Sequence, residues 1–307
     1  MFSFFKKKKV IVTHSGGYHA DDVFACAALS LLYNDRIKIL RSRDPEIIAR
    51  GDIVLDVGGE YDPARGRFDH HQIGGAGIRP NGIPYASFGL IWKEFGEQIG
   101  GSRYVQEVIE NKLVLSIDAN DNGIDISKDI YEGISKYSIN SVIAIFLPTW
   151  KEAGMNLEDK AFIKAVGLAK MILSSEIKQA QEEIEKQEFI DRTYEQSSDK
   201  KVVLFDEYIS RHDINHCLKD KSDVVYAIVP RHDKTQWSIH AIRVVPWEFA
   251  SRKPFPKAWA GLRDADLSRV SGVPDAVFCH NSRFLVTVVS KESAMKLAQS
   301  ALESKDF

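Results

Sequence analysis

Cysteine is scarce in this chain, and long hydrophobic runs are missing. The three cysteines, Cys26, Cys217 and Cys279, lie far apart, and no CxxC pair occurs. A disulfide framework and a cysteine-based zinc site are therefore not indicated, and we expect three free thiols. No apolar run approaches the roughly 20 residues that a membrane helix needs. The opening MFSFFKKKKVIV places its charges after a very short apolar start, unlike a secretory signal, so we expect a cytoplasmic protein without a membrane partner.

An excess of positive charge is missing as well. The formal net charge is −2, which gives no overall signature of nucleic-acid binding. Two local clusters, KKKK at residues 6–9 and SRKPFPK at residues 251–257, are of a kind that usually forms a solvated face. With 307 residues, 44% of them hydrophobic and 27% charged, the chain has the composition of a globular protein with one large domain or two ordinary ones.

The first sixty or so residues alternate between strand and helix patterns. Apolar runs predict strands at residues 8–14, 37–40 and 52–58. Apolar residues at helical spacing predict helices at residues 21–33 and 44–50. This β-α-β-α-β order predicts an α/β domain with a parallel sheet flanked by helices.

Loop and helix signals dominate the middle of the chain. Residues 59–84 are rich in Gly, Pro, Asp and Arg and predict one long loop, which in a compact domain is often functional. Helical patterns follow at residues 85–98, 103–117 and 157–194. The polar segment EQSSDK at 195–200 ends the last pattern and is the predicted linker.

Strand and helix signals return after this linker, with hairpin-like strand pairs and a final helix. The sequence therefore predicts two domains, residues 1–195 and residues 196–307. We expect the second to be a smaller α/β unit.

Polar side chains accumulate where the first strand meets the first helix. THSGGYHADD, at residues 13–22, puts His14 at the strand end and His19, Asp21 and Asp22 at the turn and the helix start. Ligands of open α/β sheets bind just outside the carboxyl ends of the strands. Asp21 and Asp22 also suit an N-cap and a partner for the helix dipole, but capping needs only one acidic residue. The two histidines would remain unexplained.

Further acidic and imidazole side chains lie in polar motifs between apolar elements: Asp56, Asp69, His70, His71, Asp118 and Asp121. Each alone is typical of a turn or a surface loop, and DANDNGID lacks the final glutamate of a calcium loop. Together, carboxylates and imidazoles suit Mn²⁺, Mg²⁺, Zn²⁺ or Fe²⁺. Two such ions about 4 Å apart could clamp a phosphoryl group and activate water.

Five sequence blocks, in order along almost the whole chain, resemble one known family. They are THSGGYHADDVFACAAL, LDVGGEYDPARGRFDHHQ, IDANDNGI, FPKAWAGLRDADLSRVSGV and AVFCHNSRF. In these blocks the chain is similar to the MYG-type (melanocyte-proliferating-gene) exonuclease family, within the DHH phosphoesterase superfamily. An isolated DHH tripeptide would be weak evidence, whereas five ordered blocks are specific.

This resemblance implies a DHH-type metal-binding domain followed by a C-terminal DHH-associated domain. It implies metal-dependent phosphodiester hydrolysis, with 3′→5′ RNA exonuclease action in eukaryotic relatives. It also implies two divalent ions, Mn²⁺ first and Mg²⁺, Zn²⁺ or Fe²⁺ as alternatives. RNA or an oligonucleotide is the expected partner, and a homodimer is a further expectation.

Carried over by position, the resemblance also implies roles for individual residues. Asp56 would bridge both ions, and His71 would lie beside the scissile phosphate. Asp22 and Asp69 would orient the ligands, and Asp121 would do the same or replace Asp118 as a ligand. The implied metal ligands are His14, His19, Asp21, Asp56, His70 and Asp118.

The C-terminal half offers its own substrate-binding candidates. Arg263 and His280 are predicted to hold substrate phosphates, and Arg252 is a third candidate, because arginine forms a planar fork that matches phosphate oxygens. Ion pairing of Arg263 with a neighbouring aspartate and burial of His280 in the core are the alternatives. The aromatic residues of this half would mostly be core, although some could stack on bases: Trp237, Trp247, Phe255 and Trp259.

Two other functions stay open at this point. A small-molecule phosphohydrolase, acting on pyrophosphate or a nucleotide, would have a compact Lys/Arg-rich cleft, whereas exposed aromatic side chains would favour RNA. A non-catalytic module that binds metal or nucleic acid would have a degraded ligand set. Every expected ligand position is filled here, which favours an enzyme.

Overall fold

The computed structural model describes residues 7–152 and 155–306, so the predicted N-terminal tail and the first lysine of its basic cluster lie outside the described residues. The chain forms two compact units that divide between Glu182 and Glu183. Each unit contains a five-stranded sheet with helices packed on it. The predicted α/β class, a sheet flanked by helices followed by a smaller α/β unit, is confirmed.

The sheet of unit 1 has the strand order β2-β1-β3-β5-β4. Strands β2, β1, β3 and β5 run parallel, and β4 pairs antiparallel with β5 at the edge. Ile11, Val12 and Val54 on the central strands are fully buried, as expected for parallel strands that are covered on both faces. The strands are β1 (Lys9–Thr13), β2 (Ile37–Arg41), β3 (Ile53–Leu55), β4 (Tyr61–Asp62) and β5 (Arg67–Phe68).

Most helices of unit 1 lie within or close to the predicted helical segments, but the helix at Ile139–Ala144 was not predicted. They are α1 (Ala20–Leu32), α2 (Pro45–Ala49), α3 (Ser87–Gly100), α4 (Arg103–Ile109), α5 (Leu115–Asp121), α6 (Ile139–Ala144) and α7 (Met155–Gln196). Helix α1 packs on α3, and the rings of Phe24 and Phe88 lie 5.5 Å apart at this contact. Both side chains are fully buried, so the contact stabilises the layer of helices that covers the sheet.

Two predicted elements of unit 1 were wrong in detail. The predicted loop at 59–84 contains β4, a 3-10 turn at Pro63–Arg65 and β5. Strands of two residues are too short to produce an alternating pattern, so the sequence does not reveal them. The predicted helix at 103–117 is divided by a π-helical segment at Glu110–Val114, which separates α4 from α5.

The sheet of unit 2 has the order β6-β7-β8-β10-β9. Strands β6 and β7 are parallel, and the remaining neighbours form the antiparallel pairs that the hairpin signals predict. Its elements are β6 (Val202–Leu204), α8 (Arg211–Cys217), β7 (Tyr226–Pro230), β8 (Trp237–Ala241), α9 (Asp264–Ser271), β9 (Ala276–Cys279), β10 (Leu285–Val288) and α10 (Lys291–Glu303).

Both faces of this second sheet are covered. Tyr226 and Ile239 belong to a core cluster that includes Leu297 of α10. Ala227 and Val229 point to the opposite face, in a cluster with Ile214 of α8. Phe255 and Trp259 are buried and stack on each other within the first cluster, so they pack in the core and are not available to stack on bases. Trp247, by contrast, is exposed.

Helix α7 is continuous for 42 residues and passes through the division between the units. The predicted domain boundary at residue 195 coincides with the end of this helix, because the loss of helical periodicity marks where a helix ends. The three cysteines are buried and free, as predicted. Within the described parts of the chain, no helix is both long enough and apolar enough to span a bilayer.

Candidate metal centre

The ends of three neighbouring strands bring polar side chains to one edge of the unit 1 sheet. β1 lies beside β3, and β3 lies beside β5, all running in the same direction. Each strand is followed within two residues by a residue of the predicted site: His14 after β1, Asp56 after β3, and Asp69 and His70 after β5. The carboxyl edge of the sheet therefore collects these groups from distant parts of the sequence.

His14 is buried, and a backbone carbonyl group next to it in the sequence orients its ring. Its Nδ1 lies 3.3 Å from the Ser15 carbonyl oxygen, to which it can donate a hydrogen bond. Its Nε2 lies 3.1 Å from Asp56 Oδ2 and 3.4 Å from Asp22 Oδ2. A carbonyl partner at one ring nitrogen leaves the other free for a metal ion.

Asp56 stands at the middle of the site in a left-handed backbone conformation, with φ of 55°. This conformation is unfavourable for most residues with a side chain, but aspartate and asparagine tolerate it. Its two carboxylate oxygens face different imidazoles. Oδ2 faces His14, whereas Oδ1 lies 3.2 Å from His70 Nε2 and 3.4 Å from His71 Nδ1.

His70 joins Asp56 to a second pair of carboxylates. Its Nε2 lies 3.1 Å from Asp121 Oδ2, at the end of α5. Asp21, on the first turn of α1, completes this group and is fully buried. The oxygens of Asp21 also accept hydrogen bonds from the Ser87 and Phe88 N–H groups, at 3.0 and 2.6 Å. Asp21 therefore caps α3, which has no capping side chain of its own.

The described residues supply three sets of side chains whose ligand atoms lie within 4.8 Å of one another. Asp56 belongs to two of the sets, and His70 also belongs to two, so the sets form one connected cluster. They are His14, Asp22 and Asp56; Asp56, His70 and His71; and Asp21, His70 and Asp121.

Buried atoms without hydrogen-bond partners test whether this cluster fits a cation. Asp22 Oδ2, Asp56 Oδ1 and His70 Nε2 are buried, and no described residue gives them a hydrogen bond of acceptable geometry. Buried polar atoms almost always have a partner, so three such atoms at the centre of one cluster need an explanation. Oxygen and imidazole nitrogen atoms at these separations are the ligands of a divalent ion, and the side chains fit one.

The charges of the cluster depend strongly on one another. Burial raises the pKa of Asp22 to about 7, and the negative charge of Asp56 adds to this effect. Burial alone would lower the pKa of His70, but Asp121 and Asp56 raise it to about 10. Burial likewise raises the pKa of Asp21 well above its usual value. A cation among these carboxylates would favour their ionised forms and displace the proton of His70.

Asp118, an expected ligand, forms hydrogen bonds with Arg79 and Gly89. It is fully buried, and its Oδ2 accepts a hydrogen bond from Arg79 Nη2 at 2.7 Å, while its Oδ1 accepts one from the Gly89 N–H at 3.1 Å. Arg79 also donates to Glu110 Oε1 at 2.6 Å. A Cβ atom at Gly89 would lie 1.8 Å from Asp118 Oδ2, so only glycine fits there. The geometry therefore favours Asp121, the alternative ligand, over Asp118.

The positions of Asp22 and His19 differ from what the resemblance implies. Asp22 was expected to orient ligands, but its unpartnered Oδ2 points to His14 and makes it a ligand candidate, while its Oδ1 accepts a hydrogen bond from the His19 N–H at 3.0 Å. The side chain of His19 is 72% exposed, and its Nδ1 lies 3.6 Å from Asp121 Oδ1. His19 belongs to none of the three ligand sets found among the described residues.

Asp69 holds both the side chain and the backbone of His71. Asp69 Oδ1 lies 2.8 Å from His71 Nδ1 and also accepts hydrogen bonds from the His70 and His71 N–H groups. Asp69 Oδ2 accepts from the Gly59 N–H. Asp69 is buried, whereas the His71 side chain is 61% exposed beside Asp56. Asp69 therefore holds the His71 ring at Nδ1, while most of the side chain stays exposed.

The three substrate-binding candidates of unit 2 differ in their surroundings. Arg252 donates hydrogen bonds from Nη1 and Nη2 to the carbonyl oxygens of residues that follow α8, which leaves fewer of its donors for a substrate phosphate. Arg263 is exposed, and its guanidinium carbon lies 4.4 Å from the centre of the Phe278 ring. His280 is half-buried, and its ring lies 4.2 Å from that of Phe284. Arg263 and His280 therefore remain candidates for binding a substrate phosphate.

Comparison with known proteins gives the family. The model of a family described as an uncharacterised protein family, UPF0160, and labelled MYG1 exonuclease matches residues 10–302. The chain belongs to the MYG1 exonuclease family. The human MYG1 exonuclease is 31% identical over 349 residues, which cover 97% of this chain and 86% of the human protein. A MYG1 protein of Chlamydia pneumoniae is 32% identical, with 96% and 97% covered.

Membership of the MYG1 exonuclease family confirms the resemblance drawn from the five sequence blocks. The match includes every candidate residue from His14 to His280. Among solved structures, RecJ from Thermus thermophilus in complex with Mn²⁺ is 12% identical, with a TM-score of 0.27. The alignment covers 97% of this chain and 53% of RecJ, so the chain spans about half the length of that protein.

Arg79 is a buried residue beside the candidate site that sequence reasoning missed. It lies in the predicted loop, in a segment of ordinary loop composition, yet it is buried against Asp118 and Glu110. The ring of Tyr85 covers its guanidinium, with 3.8 Å between the guanidinium carbon and the ring centre. A single sequence carries no signal for such a partner, because the pairing joins residues 31 and 39 positions apart.

Proposed function

We propose that the chain is a metal-dependent phosphodiester hydrolase that removes nucleotides from the 3′ end of RNA or short oligonucleotides. One observation carries this proposal. The two oxygens of Asp56 face separate imidazole groups, so one carboxylate can serve two cations, the arrangement suited to phosphoryl transfer. The family name adds support for exonuclease action.

The ligands divide into two groups around Asp56. His14 and Asp22 would hold one ion, and His70 with Asp21 and Asp121 would hold the other. Such ions, Mn²⁺ first on our proposal, lower the pKa of water and offset the charge that develops on phosphorus. Asp69 holds the His71 ring, and His71 presents its Nε2 to a phosphate oxygen. The cytoplasmic location and the homodimer stay predictions from the sequence.

The affinity for a divalent ion should rise with pH between pH 6 and 8. The ligand groups must lose their protons before they bind, and the pKa values of about 7 for Asp22 and about 10 for His70 mean that protons are still bound at neutral pH. Each proton released strengthens binding by up to about tenfold per pH unit. Titration calorimetry at pH 7, in two buffers of different ionisation enthalpy, measures the protons released. Equal affinity at pH 6 and pH 8 would contradict the assignment.

The activity is tested with 5′-labelled single-stranded RNA oligomers, incubated with and without Mn²⁺. We expect a ladder of products that shorten from the 3′ end, only when the ion is present. The matched DNA oligomer and inorganic pyrophosphate are assayed in parallel. Hydrolysis of pyrophosphate without cleavage of either oligomer would replace the exonuclease proposal with the small-molecule phosphohydrolase. Cleavage in the presence of a chelator would show that the activity does not depend on a metal ion, which would contradict the proposal.

A further inference from the structure

Two half-buried arginines in unit 2 form no ion pair with any described carboxylate. They are Arg211, at the start of α8, and Arg243, two residues after β8. Ion pairs are frequent elsewhere among the described residues of this unit. Burial lowers the pKa of Arg211 to about 10, and the positive charge of Arg243 adds to this effect.

Several donors of this pair are buried and unused. Arg211 Nε and Nη2 and Arg243 Nε have no hydrogen-bond partner among the described residues. His240, on β8, is 9% exposed, and its Nδ1 is also buried without a partner in the described part of the chain. His240 pairs with Ala227 across the sheet, so its side chain lies on the sheet face that is covered by α8, the helix that begins at Arg211. Burial lowers the pKa of His240 to about 4, and the charge of Arg211 adds to this effect. Buried guanidinium donors without an acceptor suit an anion, and a neutral imidazole beside them can add a further hydrogen bond.

The backbone around the three side chains is held in place. Asn215, which is buried, donates from Nδ2 to the Arg211 carbonyl oxygen at 2.7 Å. Its Oδ1 accepts a hydrogen bond from the Arg243 N–H, also at 2.7 Å. One amide therefore ties the first turn of α8 to the end of β8. The arginines are fixed near each other despite the unfavourable repulsion of their charges.

Aromatic side chains surround this cationic cluster. Arg211 lies 3.9 Å from the centre of the Phe284 ring, whose other neighbour is His280 at 4.2 Å. On the other side, the guanidinium carbon of Arg243 lies 5.7 Å from the centre of the Phe249 ring. Phe249 is 90% exposed and Trp247 is 78% exposed. Cations next to exposed aromatic rings are typical of surfaces that bind single-stranded nucleic acid.

We propose that Arg211, His240 and Arg243 form a binding site for a phosphate group of a single-stranded nucleic acid, with Phe249 and Trp247 beside it as stacking surfaces for bases. The two guanidinium forks supply the donors that match phosphate oxygens, and the imidazole adds a third polar group. The inference rests on the proposed function, since it assigns the substrate class. It favours an oligonucleotide over pyrophosphate, because exposed rings would contribute nothing to the binding of a bare phosphoanhydride.

The test measures binding to the full chain with a chelator present, so that hydrolysis plays no part. A fluorescein-labelled single-stranded RNA oligomer is titrated by fluorescence anisotropy. We expect Arg211→Gln and Arg243→Gln each to weaken binding by about tenfold, the effect of losing a charged hydrogen bond. Arg269→Gln serves as the matched control, because this exposed arginine of the same unit pairs with Asp266 and should bind RNA like the parent. Equal affinity of all three variants would overturn the proposal.

Thermal stability distinguishes a binding role from a structural one. Because Arg211 is a partly buried charge without a described acidic partner, Arg211→Gln should keep or raise the melting temperature of the ligand-free protein. A structural arginine would instead lower it when replaced. Addition of inorganic phosphate, at constant ionic strength, should raise the pKa of His240 above about 4 in NMR titrations, because an anion offsets the charge of Arg211. If phosphate leaves the His240 signal unchanged and both arginine variants still bind RNA, the proposed phosphate site is wrong. This conclusion would hold even if the chain proves to be an active enzyme.

Discussion

Asp56→Asn should lower hydrolysis by more than about 100-fold while the protein stays folded. Loss of a residue that merely supports a metal ligand already costs roughly 10–100-fold, and Asp56 is placed to serve both ion positions. Asparagine is the appropriate replacement, because it tolerates the left-handed backbone at residue 56. Alanine would add backbone strain of roughly 1–2 kcal/mol. A lower rate of hydrolysis could then reflect either the lost metal ligand or the lost stability.

The measurement pairs turnover of labelled RNA with metal binding by titration calorimetry. Asp52→Asn is the control: Asp52 is an exposed carboxylate just before β3, at the end of the strand opposite Asp56. It should match the parent in both assays. If Asp56→Asn retains both turnover and metal stoichiometry, the shared-carboxylate centre is wrong.

Asp118→Asn and Asp121→Asn should affect different properties: the first mainly the stability of the fold, the second mainly metal binding. Asp118→Asn takes the charge from the buried partner of Arg79, which we expect to destabilise the fold by about 3 kcal/mol, because breaking a buried pair leaves an uncompensated charge. Asp121→Asn removes a carboxylate beside His70 at the end of α5, so it should weaken metal binding. It should lower the melting temperature of the metal-free protein less than Asp118→Asn does, because the Asp121 side chain is not fully buried.

Thermal melts with and without Mn²⁺, together with metal titrations of both variants, separate these outcomes. The two residues lie three positions apart on the same helix, so each is the natural control for the other. A variant at 118 that melts like the parent but no longer binds metal would restore Asp118 as the ligand and make Asp121 the supporting residue.

The choice between these two aspartates shows what a sequence can and cannot reveal. Residues three apart lie on the same face of a helix, so periodicity cannot separate Asp118 from Asp121. The decision comes from Arg79, a loop residue whose partner is 39 positions away. The contacts of Arg252 are hidden from the sequence for a related reason, because the carbonyl groups that accept its hydrogen bonds belong to a turn 28–34 positions earlier.

The strand ends were predictable because parallel strands are covered on both faces. They appear as short apolar runs, and a polar residue directly after such a run must lie at the edge of the sheet. This reasoning places His14 and Asp56 at the sheet edge from the sequence alone. It misses the short β4–β5 hairpin, whose strands carry no periodic signal, although that hairpin delivers Asp69, His70 and His71 to the same edge.

Asp21 links the start of helix α3 to the candidate metal centre, because the same carboxylate caps the helix and belongs to a ligand set. The same carboxylate that faces His70 and Asp121 also anchors the first two amides of α3, and Gly89, one residue further along, touches Asp118. Truncation at position 21 would therefore loosen the start of α3 and disturb the Arg79 contact at the same time. An inactive Asp21→Ala protein would not distinguish a missing ligand from a displaced helix, and hydrogen exchange of the Ser87 and Phe88 amides would have to be read alongside the rate.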